Sequence, residues 1–511
     1  MHKNKLVNII LSVCFGILAI FPLALGSFSA IRNFMNYQAF RFGAISLISF
    51  LIATLFILNH VNFRVEVKDW ILISALFGLT IAIRLLSQNT LDTEPITDFQ
   101  DAITKATYFL QGPYPDVRSA RFPYWGFYKL TLSQVFTLFG ASFNTVEFLN
   151  IFLAGVTTTG LYLLAKKTSG SKKFALICTT IYALWPADAF YKNLPNGEHI
   201  FISLLPFACL IYVNAMERLD KNLSLSLILS LLTGLLLGLM DLYRPVAIIL
   251  LIACAIALVL FKFIKNDYQK FFLLEKTFWG GIVMIACLMI GFQGTKMLGF
   301  AAIRQKTGYA PNTSGYGWTL RIGLDVTEGG LWNRVIYDRM IAIYEAYDEN
   351  YAKVNAILLD ETKMILVEQK PQLFRFFLNK FDFTWKSDYD FFYWATVKQS
   401  DDGSLLADPN NIGSMIMPIT DAFHAFVLVF STTGAIYCAL NKKEPITSIL
   451  ALFIIGFSVM LLLTEVQQRY RSVLFSTLPI FASYGIFGVT QVITPAIKKL
   501  LGKANQGNQL D

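Results

Sequence analysis

Charge is what this 511-residue chain has least of: 15% of its residues are Asp, Glu, Lys or Arg, 55% are hydrophobic, and the mean hydropathy is +0.53. A soluble domain averages about 25% charged residues, so there is too little polar surface here to face water on all sides. A soluble enzyme is excluded. So is a nucleic-acid partner, because the net charge of +9 must first be divided between the two sides of a membrane. The four histidines are scattered. All six cysteines (Cys14, Cys178, Cys209, Cys254, Cys287, Cys438) lie inside apolar runs with no CxxC pair, so neither a disulfide framework nor a zinc site is expected. Alternation with period two is absent as well, which argues against an outer-membrane barrel.

What the chain does have is charge-poor apolar runs long enough to cross a bilayer. Twelve are expected, at about 7–29, 39–58, 70–87, 144–165, 174–190, 198–215, 222–242, 245–262, 278–297, 416–438, 446–464 and 472–495. The first, preceded by Lys3 and Lys5, is too long for a signal-peptide core and reads as a retained anchor. The fold class is therefore an all-α polytopic membrane protein. It divides into an N-terminal pair of spans (1–69), a transmembrane core (70–297) holding an outer loop at 88–143, an extracytoplasmic segment (298–415), and a C-terminal membrane part with a basic tail (416–511).

Lysine placement orients the chain. The 166–173 link, the link from Lys262 to Lys276, the Lys442-Lys443 turn and the tail with Lys498, Lys499 and Lys503 fall together on the cytoplasmic face if both termini are inside. The segments 88–143 and 298–415 then lie outside, and 298–415 carries 12 Lys/Arg against 15 Asp/Glu. The run 122–139 is nearly long enough to span. Its aromatic start and internal Lys129 and Gln134 suit a helix lying in the membrane interface.

Ionisable residues are costly within spans, and here they gather near the outer ends: Arg84, Glu147, Asp188, Glu198, Asp241, Arg244, Lys296, Asp421, His424, Glu465 and Arg469. Snorkelling explains part of this distribution. A polar site opening outward explains the mixture of acids and arginines. In the first outer loop, Asp98 precedes apolar residues at helical spacing (Phe99, Ala102, Ile103, Ala106, Phe109, Leu110), which describes an amphipathic helix lying on the membrane. Asp98 could be its N-cap, or Thr97 could cap it with Gln100 as capping-box partner. A carboxylate held at that lip could equally act as a general base.

These residues form an ordered series that resembles family 39 membrane glycosyltransferases of the GT-C superfamily. The series is Thr97-Asp98-Phe99 with the Gly-Pro-Tyr-Pro break after it, the acid of 184–198, Asp241-Leu-Tyr-Arg244-Pro245, Gly323-Leu-Asp325 to Trp332-Asn333, Lys380 to Trp385, and Glu465-Val-Gln-Gln-Arg469-Tyr470. It covers about residues 70–495. The resemblance implies an inverting transferase that moves a sugar from a polyprenyl-phosphate donor to a glycan, lipid or protein acceptor on the non-cytoplasmic face of the cell membrane. It puts the catalytic base at Asp98. Arg244 and Arg469 are candidates for the donor phosphate, with pairing to Asp241 and Glu465 as the competing reading. Lys380 is a further phosphate candidate, or else a lysine on a solvated face. Glu198, Glu465 and Tyr470 would orient donor or acceptor hydroxyls. The family's Asp-bearing loop usually follows the first span, whereas three precede it here. No cofactor is called for, and Asp92, Glu94 and Asp98 leave a divalent metal open. A glycan polymerase or ligase, and a transporter without chemistry, are the rival readings. In 298–415, helices are expected over 332–352 and 354–380, followed by an aromatic cluster from Phe383 to Trp394 that suits interfacial anchoring or stacking on a sugar.

Overall fold

The computed structural model describes residues 2–37, 41–60, 67–264, 276–315, 317–400 and 402–491. The chain folds as helices joined by short links, with one two-stranded ribbon in which Lys398–Gln399 pairs antiparallel with Leu405–Leu406. Among the described residues nine helices are long and apolar enough to cross a membrane. They are Lys5–Met35, Asp69–Thr90, Phe143–Ser169, Glu198–Arg218, Leu223–Tyr243, Ala247–Ile264, Thr277–Thr307, Gly413–Asn441 and Pro445–Leu463. The all-α polytopic class is thus what the structure has.

Local chemistry sets many of the boundaries. Ser142 accepts from the Thr145 N–H to start Phe143–Ser169, and Gly170, at φ +70°, ends it. Glu444 and Thr447 form a reciprocal capping box ahead of Pro445–Leu463, satisfying backbone donors that the first turn leaves open. Small residues let helices approach closely, as membrane helices commonly do. A Cβ on Gly434 would lie 1.8 Å from the Phe481 carbonyl oxygen, and one on Gly234 would lie 2.2 Å from that of Leu288.

Three of the twelve expected spans take other forms. The run 174–190 breaks into Lys172–Ala183 and Pro186–Tyr191, because Pro186 holds Trp185 extended (ψ 111°). The last run is the 3-10 turn Gln468–Leu474 followed by Leu478–Gln491, bent by 70°. The second is a helix, Arg41–His60, which is not among the nine. Residues 39–40, 492–495, the lysines of the tail and most of the link between Lys262 and Lys276 lie outside the described residues.

The first outer loop also differs from expectation. The helix Thr97–Leu110 buries its apolar face (Phe99, Ala102, Ala106, Phe109) in the protein, where Ala102 and Ala106 join Tyr128, Leu132, Phe136 and Tyr243 in one cluster. The apolar face expected to meet lipid is thus turned to the protein. Lys129, in the helix Pro123–Phe139, is 1% exposed. Its ammonium reaches Asp101 at 2.7 Å and Asp116 at 3.2 Å, so its charge is matched inside the fold. Burial would raise the Asp116 carboxyl, but Lys129 and Ser119 outweigh it and hold the group below its ordinary value.

The first helix is bound tightly to the rest. Asn33 and Tyr37 donate to Asp421 at 2.6 and 2.9 Å, and Arg32 reaches Asp382 at 2.5 Å. The outer segment is mainly helical (Arg334–Ala346, Tyr351–Glu368, Leu373–Trp385, Tyr389–Thr396). Its expected first helix is interrupted at 347–350, where Asp348 and Glu349 take φ values of +44° and +58°.

Candidate functional site

Five parts of the chain, apart in sequence, converge on one polar chamber of about 110 Å³. The first outer loop supplies Asp98, Arg118, Tyr124 and Tyr128. Two helix ends supply Glu198 and Arg244, and the turn after Leu463 supplies Glu465, Gln467, Arg469 and Tyr470. Trp318, Trp332 and Tyr337 of the outer segment complete the lining. Of the residues singled out from sequence, Asp98, Glu198, Arg244, Glu465, Arg469 and Tyr470 therefore share one cavity. Lys380 does not line it.

Asp98 sits in the first turn of Thr97–Leu110, whose N-cap is Ile96 with no side-chain cap. Neither capping arrangement expected from sequence is formed. Instead Thr97 takes φ +52°, a conformation non-glycine residues seldom adopt, and Asp98 forms an ion pair with Arg118. The Asp98 side chain remains 42% exposed, so an incoming molecule can reach it. The same guanidinium lies 3.8 Å from Asp101.

Glu198 and Arg244 face each other at 3.1 Å. Glu198 also accepts from Tyr191 at 2.6 Å and from Ser472. Its carboxylate is therefore fully engaged, and its evident work is to hold Arg244. The other face of Arg244 rests on the Tyr470 ring, 4.4 Å from its centroid. Tyr470 in turn donates to Glu465 at 3.0 Å, and Gln467 donates to the same oxygen at 2.8 Å. Burial pushes the Glu465 carboxyl above its ordinary value.

The acid pairings considered from sequence are not formed. Asp241 pairs with Lys296 at 2.7 Å and accepts from the Ala247 N–H. Arg469 lies over the Trp394 and Phe99 rings at 4.6 and 5.1 Å, and its Nε donates to Gln467 at 2.6 Å. Among the described residues Arg469 has no carboxylate partner.

Lys380 is neither on a solvated face nor in the chamber. Its ammonium donates to the carbonyls of Gly323 and, at 2.5 Å, Thr464, and burial lowers it to about 7. The expected glycine motif explains this position. A Cβ on Gly323 would lie 2.1 Å from the Thr464 carbonyl carbon, and the Val466 N–H donates to Gly330 at 3.0 Å. The 323–330 loop is thus fastened against the turn that carries Glu465.

The aromatic cluster divides. Trp385 is fully buried, while Trp394 supports Arg469 at the chamber's edge. No group of three His, Cys, Asp or Glu side chains is gathered for a metal among the described residues, and Asp92 is paired with Lys398.

Sequence reasoning missed Arg118, the partner of Asp98, and Tyr128, whose buried hydroxyl has no hydrogen-bond partner among the described residues. The Asp116-Val-Arg118 stretch carries no motif that marks it. Only the folding of the loop brings Arg118 to Asp98.

Beside the chamber runs an apolar groove of about 390 Å³, lined by Val246, Ile248, Ile249, Val459, Met460 and Leu463. The two cavities share Tyr124, Arg244, Trp318, Glu465 and Tyr470. The groove's walls come from Ala247–Ile264 and Pro445–Leu463, both spanning helices.

No family sequence profile matches the chain, and no curated protein matches it in sequence. A comparison with solved structures finds the oligosaccharyltransferase of Archaeoglobus fulgidus in its apo form. The identity is 12% and the TM-score 0.42, over 84% of this chain and 52% of that one. The chain spans about half the length of that protein, and a likeness at this score assigns neither family nor activity.

Proposed function

We propose that the protein is a membrane-embedded inverting glycosyltransferase that takes its sugar from a polyprenyl-phosphate carrier. The observation that carries this reading is the union of two cavities at Arg244 and Tyr470: an apolar groove between spanning helices, and a polar chamber with Asp98 on its wall. A long prenyl chain suits the first and a phosphosugar the second. The ordered resemblance to family 39 transferases supports the same reading.

The chemistry then follows from the placement of charge. An acceptor hydroxyl oxygen attacks the anomeric carbon while the bond from that carbon to the phosphate oxygen breaks. The electron pair leaves with the polyprenyl phosphate, and the hydroxyl proton passes to Asp98. Arg118 pairs with Asp98 and holds its carboxylate at the chamber wall. Arg244, already oriented by Glu198 and Tyr470, and Arg469, with no carboxylate partner among the described residues, stabilise the charge that grows on the leaving phosphate. Preorganised cations of this kind act most strongly where water is excluded, and guanidinium matches phosphate geometry. Lys380 acts at one remove, by fastening the Glu465 turn.

Lysine placement supports an extracytoplasmic site. Lys166 and Lys172, with their partner Asp69, stand at one end of the helices Asp69–Thr90 and Phe143–Ser169, while the loop bearing Asp98 continues from the opposite end. The acceptor is an envelope glycan, lipid or protein.

The test is a comparison by mass spectrometry of envelope glycans and lipid-linked sugars in cells making wild-type protein, Asp98→Asn or none. Loss of one sugar substituent in both deficient strains, with the donor lipid accumulating, is expected. Wild-type glycans from Asp98→Asn would remove Asp98 as the base. Shortened chains in place of a missing substituent would point to a polymerase.

A further inference from the structure

The largest of the three cavities around the site, about 450 Å³, adjoins the apolar groove, with which it shares Pro245 and Thr319. Phe122, Tyr124 and Trp318 line both it and the chamber, so it reaches the same reaction space from another direction. Its lining combines aromatic faces (Tyr124, Trp318, Tyr344) with polar groups (Asn312, Thr313, Gln293). That combination suits a sugar, whose ring stacks on aromatic faces while its hydroxyls seek hydrogen bonds.

The floor of this cavity is a membrane helix. Gln293, Lys296, Met297 and Phe300 all belong to the span Thr277–Thr307. At about 1.5 Å per residue, about twenty residues cross the hydrocarbon layer. Counted from Thr277, residues 293–300 therefore stand at the outer membrane boundary. Met297, which lines the cavity, is 71% exposed, an apolar side chain suited to meet lipid. Gln293 is exposed with no hydrogen-bond partner among the described residues, a costly arrangement for an amide in a spanning helix unless something polar comes to it. Lys296 is held to Asp241, so the floor adds no net charge.

We infer that this cavity admits the acceptor, and that the acceptor is a glycolipid of the outer leaflet. The sugar head lies between Trp318, Tyr344 and the polar groups, and the acyl chains leave past Met297 and Phe300. The inference rests on the transferase reading and adds to it the acceptor's class and its route. A peptide or a soluble glycan would have no use for an entry floored by a membrane helix. Donor and acceptor thus come from the bilayer through adjoining cavities with different outer walls, and meet where Tyr124 and Trp318 line all three.

The test uses the full chain in phosphatidylglycerol nanodiscs, titrated separately with monoglucosyl diacylglycerol, methyl glucoside and undecaprenyl phosphate, with binding read by native mass spectrometry. Gln293→Trp and Thr313→Trp each fill the new cavity, and Val459→Trp obstructs the apolar groove. Both cavity-filling variants should bind the glycolipid at least tenfold more weakly and undecaprenyl phosphate normally, and Val459→Trp should do the reverse. Glycolipid binding that survives both cavity-filling variants, or that is lost in Val459→Trp, would overturn the inference. So would absence of glycolipid binding to wild type, or methyl glucoside binding as tightly as the glycolipid. If the glycolipid pattern holds while undecaprenyl phosphate never binds, the glycolipid site stands and the donor reading falls.

Discussion

Arg469 and Arg471 are two residues apart in one turn of chain, yet their surroundings are opposite. Arg471 is enclosed. It donates to Asp388 at 2.9 Å and to the Ser387 carbonyl at 2.6 Å, and it lies 3.0 Å from a ring nitrogen of His424. Asp388 also accepts from the Trp185 indole at 3.1 Å, and its backbone N–H donates to Asp421, which holds Asn33 of the first helix and Tyr37 just after it. Arg469 leans on aromatic rings and has no carboxylate partner among the described residues. The enclosed arginine joins the first helix, the outer segment and the last membrane segment. The other leaves a guanidinium facing the chamber. An arginine locked into a buried ion pair holds a structure in place, whereas a cation backed by aromatic faces keeps its charge for a ligand.

The largest expected effect comes from breaking the enclosed side of this comparison. Arg471→Leu leaves Asp388 buried without its cation, a loss of about 3–5 kcal/mol for buried pairs. Little folded protein should be recovered, as read by size-exclusion chromatography. Recovery of monodisperse protein at wild-type yield would show that Arg471 is not the joint described. Next in size, Arg469→Gln should lower transfer by about 10²–10³-fold, the usual scale for one lost charge-stabilising donor, with its melting temperature little changed. Glu198→Gln should act through Arg244. It weakens the hold on that guanidinium without removing it, so a loss of about tenfold is expected, smaller than for Arg244→Gln in the same assay.

The smallest effect concerns Lys380 and depends on pH. Because burial lowers the folded-state value to about 7, the unfolded chain binds this proton more tightly. Folded stability from this group therefore rises as pH increases from about 7 towards the ordinary lysine value near 10. The melting temperature of wild type relative to Lys380→Met should climb by a few degrees between pH 7 and 9. A difference independent of pH would mean that Lys380 does not titrate in that window.

Hydropathy made much of the fold legible, because a bilayer penalises charge and so leaves spans readable as runs without it. It misread places where apolar sequence is buried in protein and not in lipid. The break at Trp185-Pro186 is one. The face of Thr97–Leu110 is another, since Phe99 and Ala102 pack on neighbouring helices just as they would on a membrane. Lys129 looked like an interfacial lysine because its acids, Asp101 and Asp116, are matched to it only by tertiary folding. In the site, Asp98, Glu198, Arg244 and Arg469 stood out as ionisable residues beside apolar runs. Their true pairings did not. Arg118 for Asp98, Tyr470 for Arg244 and the aromatic bed of Arg469 are set by three-dimensional approach, and neighbouring acids in sequence, Asp241 and Glu465, were the wrong partners. Lys380 was visible as a lysine in an aromatic stretch, but its carbonyl partners on Gly323 and Thr464 were not.

The most direct measurement is the binding of undecaprenyl phosphate and of undecaprenol, its alcohol, to wild type, Arg244→Gln and Arg469→Gln in nanodiscs. The account predicts that wild type prefers the phosphate over the alcohol by at least tenfold, and that each variant loses most of this preference while still binding the alcohol. Equal binding of phosphate and alcohol by wild type, or an undiminished preference in both variants, would contradict it.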